Sequence, residues 1–117
     1  MVGSIVCNDR NIGNAENLQG GLKMFSNNRY LTRGVQLEIP LELQLFMWDC
    51  IRKMAVERDY LQVFKLSSDG KLQTVVHSQE QPEYQKSYSF IFPTHINAKV
   101  FVIDDGDHST MLLAEEY

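Results

Sequence analysis

The segment "IDDGDHS" crowds Asp104, Asp105, Asp107 and His108 together, the densest set of chemically capable side chains in the chain. Oxygen-rich clusters of this kind hold calcium or magnesium, and a carboxylate beside an imidazole can poise a base. Counted from Asp105, Asp107 stands third, Ser109 fifth and Glu116 twelfth, which is part of a calcium-loop pattern. The sixth position is Thr110, where the sharp turn of such a loop wants glycine, and Met111 to Ala114 read as a strand. Asp and Gly are also the residues a hairpin turn asks for by itself. A turn is therefore the expected role, and a metal-assisted hydrolase or nuclease on these four residues is the enzymatic alternative.

Cys50 with His77, His95 or His108 would supply the parts of a thiol–imidazole pair, but no flanking signature supports one. Cys50 sits among Met47, Ile51 and Met54 and is expected to be a small core residue. The phosphate loop G-x-x-x-x-G-K-[ST] is absent, since neither Gly20-Gly21 nor Gly70-Lys71 completes it; G-x-S-x-G, paired C-x-x-C and H-E-x-x-H are absent too. No catalytic residue and no cofactor are predicted.

These residues must be positioned by elements that the hydrophobic period reveals. Val35, Leu37 and Ile39 alternate with Gln36 and Glu38, which predicts a first strand over residues 30–39 with a bulge at Gly34. Pro40 suits a first helical turn, and residues 41–57 contain no internal Gly or Pro, which predicts the main helix. Two strand-like runs then surround Asp69-Gly70, a hairpin dipeptide. "EYQKSYSFIF" places Tyr84, Lys86, Tyr88, Phe90 and Phe92 on one face between Pro82 and Pro93. "NAKVFVID" and "STMLLAEE" flank the acidic turn as a second hairpin. The predicted fold is α+β: an antiparallel sheet of about five or six strands packed on one main helix, about 41–57.

The composition limits what such a fold can be for. The chain has 117 residues, 44% hydrophobic and 22% charged, values close to those of globular proteins. Apolar runs such as Val100 to Ile103 fall far short of the roughly 20 residues a membrane helix requires. The N-terminus lacks the order of a secretory signal, so a cytoplasmic location is expected, and Cys7 and Cys50 are not expected to pair. All of the net charge of −4 falls after residue 23, because the prefix balances Arg10 and Lys23 against Asp9 and Glu16. An acidic body disfavours nucleic-acid binding, for which Arg29 and Arg33, with Tyr84 and Tyr88, or a patch at Arg52 and Lys53, would be the available groups.

Residues 1–23 show neither the helical nor the strand period. Gln19-Gly20-Gly21 is also what a ribosome-binding string of the GGAGG type encodes when translated in frame, just upstream of Met24. Met24 is therefore the expected native start, with one α+β domain over residues 24–117.

The helix holds one further signal. At about 100° per residue, Leu43, Phe46, Met47, Cys50, Ile51 and Met54 fall on a broad side that should face the sheet. Leu41, Leu45 and Trp48 fall nearly opposite. A helix with one buried face does not need a second stripe, so these three residues are the predicted interaction surface.

"RYLTRGVQLEIPLELQLFMWDCI", "YLQVFKL", "HSQEQPEY" and "AKVFVIDDGDHSTMLLAEEY" resemble the domain-of-unknown-function 960 family, small proteins of Gram-positive bacteria and their phages. The similarity covers residues 24–117, and its members begin near the equivalent of Met24. The resemblance implies no enzyme activity, cofactor or ligand. The expectation is a non-catalytic accessory protein of a phage or mobile element that binds itself, as a dimer, or a host protein, modulating that host protein or a defence system.

Overall fold

A computed structural model describes residues 24–117. The expectations for residues 1–23, including the role of Cys7 and the native start, lie outside the described residues. The described chain opens with strand β1 (Asn28–Leu31), passes through two helices, α1 (Arg33–Glu38) and α2 (Leu41–Arg52), and continues as β2 (Leu61–Ser68), β3 (Leu72–Gln79), β4 (Tyr84–Ile91), β5 (Ala98–Asp104) and β6 (His108–Leu113). A short 3-10 turn, Ala114–Glu116, follows. The strands form one six-stranded sheet in the order β1-β6-β5-β2-β3-β4. All neighbours are antiparallel except β1 and β6, which run parallel and bring the two ends of the described chain together.

The α+β class stands, with a sheet that dominates and a couple of helices, the longer of them α2. Residues 30–39 do not form a single strand. The strand ends at Leu31, and Thr32 caps α1 by accepting the Val35 N–H on its hydroxyl at 3.4 Å. Val35 and Ile39 lie one helical turn apart, so both can be buried while Leu37 points out. An alternating triplet therefore served a helix, because its outer members also satisfy the i, i+4 spacing. Gly34 is no bulge: the Glu116 carboxylate lies over it, taking the Gly34 N–H at 3.1 Å and the Thr32 hydroxyl at 2.6 Å. A Cβ on Gly34 would lie 2.6 Å from that carboxylate.

Helix α2 starts after Pro40 as expected and stops at Arg52, short of residue 57. Arg58 folds back at that point and donates to the carbonyls of Ile51 at 2.8 Å and Arg52 at 2.7 Å, groups a longer helix would have used internally.

Both helices pack on one face of the sheet. Val35, Leu43, Met47, Cys50 and Ile51 meet Phe64, Leu66, Val75, Val100, Val102 and Met111 in a continuous apolar core. Phe46 sets its ring against Tyr88 and Phe90 at 5.1 Å each, which places α2 over β4 as well. The predicted Asp69-Gly70 and Asp105-Gly106 turns are both present, with glycine φ of +100° and +101°. In each the Asp side chain accepts the backbone N–H groups two and three residues on.

Candidate functional site

An open groove of about 550 Å³ lies where the α1–α2 junction faces the loop between β4 and β5. Leu31, Leu37, Ile39, Leu41 and Ile96 line it, with Gln36, Glu38, Gln44 and Thr94 at its polar margins. Two buried glutamines brace it, Gln44 from within its lining and Gln73 from behind Ile96. Gln44 reaches back across the junction and donates to the Ile39 carbonyl at 2.7 Å, which fixes the angle between the helices. Gln73 grips Ile96 from both sides, accepting its N–H at 3.0 Å and donating to its carbonyl at 2.9 Å, and donates also to Ser67 at 2.8 Å. Buried amides that use donor and acceptor together hold a loop in one conformation.

Onto this frame the chain sets leucines that it does not cover. Leu37 is 72% exposed, Leu41 58% and Leu45 50%. Leu37 and Leu41 line the groove from either side of the extended Ile39-Pro40 junction, and Leu45 follows Leu41 by one turn of α2, which makes one apolar ridge.

That ridge corrects the predicted stripe of Leu41, Leu45 and Trp48. Leu41 and Leu45 are open, but Trp48 is only 2% exposed and belongs to the core. Strand β1 carries the Arg29 guanidinium to 4.8 Å from the indole centroid, a cation–π contact that a helical projection of residues 41–57 alone cannot show. The member that sequence reasoning missed is Leu37, which had been placed in a strand. Gln44 and Gln73 were missed as well. Their signal is weak: a glutamine at a position where the local period calls for an apolar residue.

The acidic turn is engaged in its own architecture. Asp104 is buried and accepts the Phe25 N–H at 2.7 Å, the Asn27 amide at 3.1 Å and the Gly106 N–H at 2.8 Å. Asp105 accepts the N–H groups of His108 and Asp107, and those bonds, the His108 one foremost, hold its carboxyl below the usual range. Its second oxygen lies 3.2 Å from His108 Nε2. Asp107 is exposed, and the His108 ring stands edge-on to Tyr30 at 4.9 Å. Among the described residues no group of three His, Cys, Asp or Glu is placed to hold a metal ion.

The other candidate groups stand apart. Cys50 is buried as expected, and burial pushes its thiol up to about 11. His77 is buried in β3, stacked on Phe64 at 4.3 Å, with Nε2 2.6 Å from the Gln62 side-chain oxygen. Burial lowers its pKa to about 4. His95 lies in the loop after β4, with Nδ1 2.7 Å from the Ser68 hydroxyl.

Of the groups named for nucleic-acid binding, Arg33 is exposed on α1. Arg29 is buried, Tyr88 packs against Phe46 under α2, and Tyr84 meets His77 at 5.3 Å, so neither tyrosine offers an open stacking platform. Arg52 and Lys53 are both paired with Asp49. No helix among the described residues is long and apolar enough to cross a membrane.

A crystal structure of a protein of unknown function from Enterococcus faecalis has the same fold, with a TM-score of 0.71 and 25% identity over 83% of this chain and 96% of that one. No curated protein matches. The family model described as "Staphylococcal protein of unknown function (DUF960)" matches residues 28–116, the whole sheet and both helices, and the chain belongs to that family.

Proposed function

We propose that the chain is a non-catalytic binding module whose α1–α2 ridge and groove take a segment of another protein. The observation that carries this reading is the set of three leucines left open on a rigid frame, beside a groove whose walls are fixed by buried amides. Fully burying one leucine stabilises a complex by about 1.5–3 kcal/mol, so covering Leu37 and Leu41 is worth roughly 3 kcal/mol before hydrogen bonds are counted. A chain of this size acts by occupying a face of a host protein, as accessory proteins of phages and mobile elements do, and modulation of host machinery or defence would follow from that occupancy. The core and the acidic turn support this reading by being committed elsewhere.

The test is affinity capture from the native host with wild type and Leu37→Ser/Leu41→Ser side by side. The double variant should melt within a few degrees of wild type, since exposed substitutions shift stability by only about 0.5 kcal/mol. It should lose the specific partner. An unchanged set of captured proteins would remove the ridge from the account.

A further inference from the structure

We propose that the groove selects a basic amphipathic segment, with leucine-like anchors and flanking Lys or Arg, over a second copy of this chain. This inference rests on the binding-module reading and specifies its partner. Glu38 lines the groove, and Glu42 stands beside Leu41, one turn before Leu45. Both glutamates are exposed, and neither has a cation within ion-pair distance among the described residues. No Lys or Arg lines the groove. Farther along the same helix the chain does neutralise its acid: Asp49 is flanked by Arg52 and Lys53. Two exposed carboxylates without a cation within ion-pair distance therefore stand at the apolar ridge, whereas Asp49 is neutralised.

That pattern discriminates between occupants. A two-fold dimer through this ridge would place the same patch on both sides, because an isologous interface repeats its own residues. Crossing near Leu41, it would bring Glu38 and Glu42 of one copy against Glu38 and Glu42 of the other, with water excluded by the leucines. Like charges at that range oppose docking and act as a barrier to the wrong partner. A segment with leucines at helical spacing and lysines one position aside places apolar groups against Leu37, Leu41 and Ile96 and ammonium groups against the two carboxylates. Gln36 and Thr94 at the margins remain available to its polar groups. Helix-in-groove docking of this type reads anchors at i and i+4.

The experiment uses the full chain and two fluorescein-labelled probes: a helical peptide of repeating Leu-Lys-Lys-Leu and its Leu-Glu-Glu-Leu counterpart, compared by fluorescence anisotropy. The lysine probe should bind about tenfold tighter, which is about 1.4 kcal/mol shared between two partly exposed charge pairs. Glu38→Gln/Glu42→Gln should reduce that preference to about threefold or less, while Glu80→Gln/Glu83→Gln, which removes the same charge elsewhere, should leave it intact. Leu37→Ser/Leu41→Ser should abolish binding of both probes. Equal, leucine-dependent binding of the two probes would overturn the charge selection and leave the groove as a binding site. A dimer in sedimentation that the leucine substitutions dissociate would overturn it in favour of self-association. A lysine-probe preference insensitive to Glu38 and Glu42 would overturn it as bulk attraction to an acidic protein. Absence of any leucine-dependent binding would remove the binding-module reading as well.

Discussion

The buried imidazole of His77 should make this protein acid-sensitive in a pH window that one substitution closes. His77 has no exposed surface, its Nε2 bonds Gln62, and burial lowers its pKa from 6.5 to about 4. In the unfolded chain the ring takes up a proton as pH falls below 6.5; in the folded chain it stays neutral until about pH 4. The unfolded state therefore binds more protons between those values, so stability is full above pH 6.5 and falls as pH drops toward 4. At about 1.4 kcal/mol per pH unit, the loss is about 2 kcal/mol by pH 5 and about 3 kcal/mol by pH 4.

Carboxylates whose pKa is lowered, among them Asp49, Asp69, Asp105 and Glu116, titrate below their ordinary values of 3.8 to 4.5 and act mainly beneath this window. His77→Gln keeps an amide that can donate to Gln62 and removes the titration. Urea denaturation followed by the fluorescence of Trp48, the one tryptophan and a buried one, reads both proteins from pH 4.5 to 7.5. The wild type should lose about 2 kcal/mol more than the variant between pH 7.5 and 5. Equal slopes for the two proteins would refute the burial argument.

Three further outcomes follow from the same geometry. Gly34→Ala should destabilise by about 1–3 kcal/mol in thermal melts, because its Cβ, 2.6 Å from the Glu116 carboxylate, would push that group off its bonds to Thr32 and Leu113, and pairing it with Glu116→Ala should recover part of the loss. Gln73→Leu leaves the Ile96 backbone without its partners and should cost about 2–4 kcal/mol; amide hydrogen exchange at Ile96 should accelerate more than exchange in β5. Cys50, buried and with a pKa near 11, should react with a thiol reagent at pH 8 only after denaturation when measured in a Cys7→Ser background.

Much of the sheet was legible in the chain because period two and Asp-Gly turns are local signals. Strands β2 to β5 largely alternate over seven or eight residues, and the β2–β3 and β5–β6 turns each carry an Asp acceptor and a positive-φ glycine. What was not legible depends on partners distant in sequence. Val35, Leu37 and Ile39 fit a strand and a helix equally until Thr32 and Glu116 together cap the N-terminal end of the segment. Trp48 projects to the outer side of α2 until Arg29 arrives from β1. The parallel pairing of β1 with β6 joins residues about 80 positions apart, and no local pattern encodes it. The site was half visible: Leu41 and Leu45 by helical projection, Leu37 only once α1 was known. The glutamines that hold the groove leave only a weak mark in the sequence, a polar residue where the local period calls for an apolar one.

The central claim, that the Leu37–Leu41 ridge is where another protein sits, is met most directly by site-specific photocrosslinking in the native host. A photoreactive residue at position 41 should yield a discrete adduct with a second protein, while the same residue at position 99, exposed on the sheet face away from the helices, should not. Absence of an adduct from position 41, or the same adduct from both positions, would contradict the account.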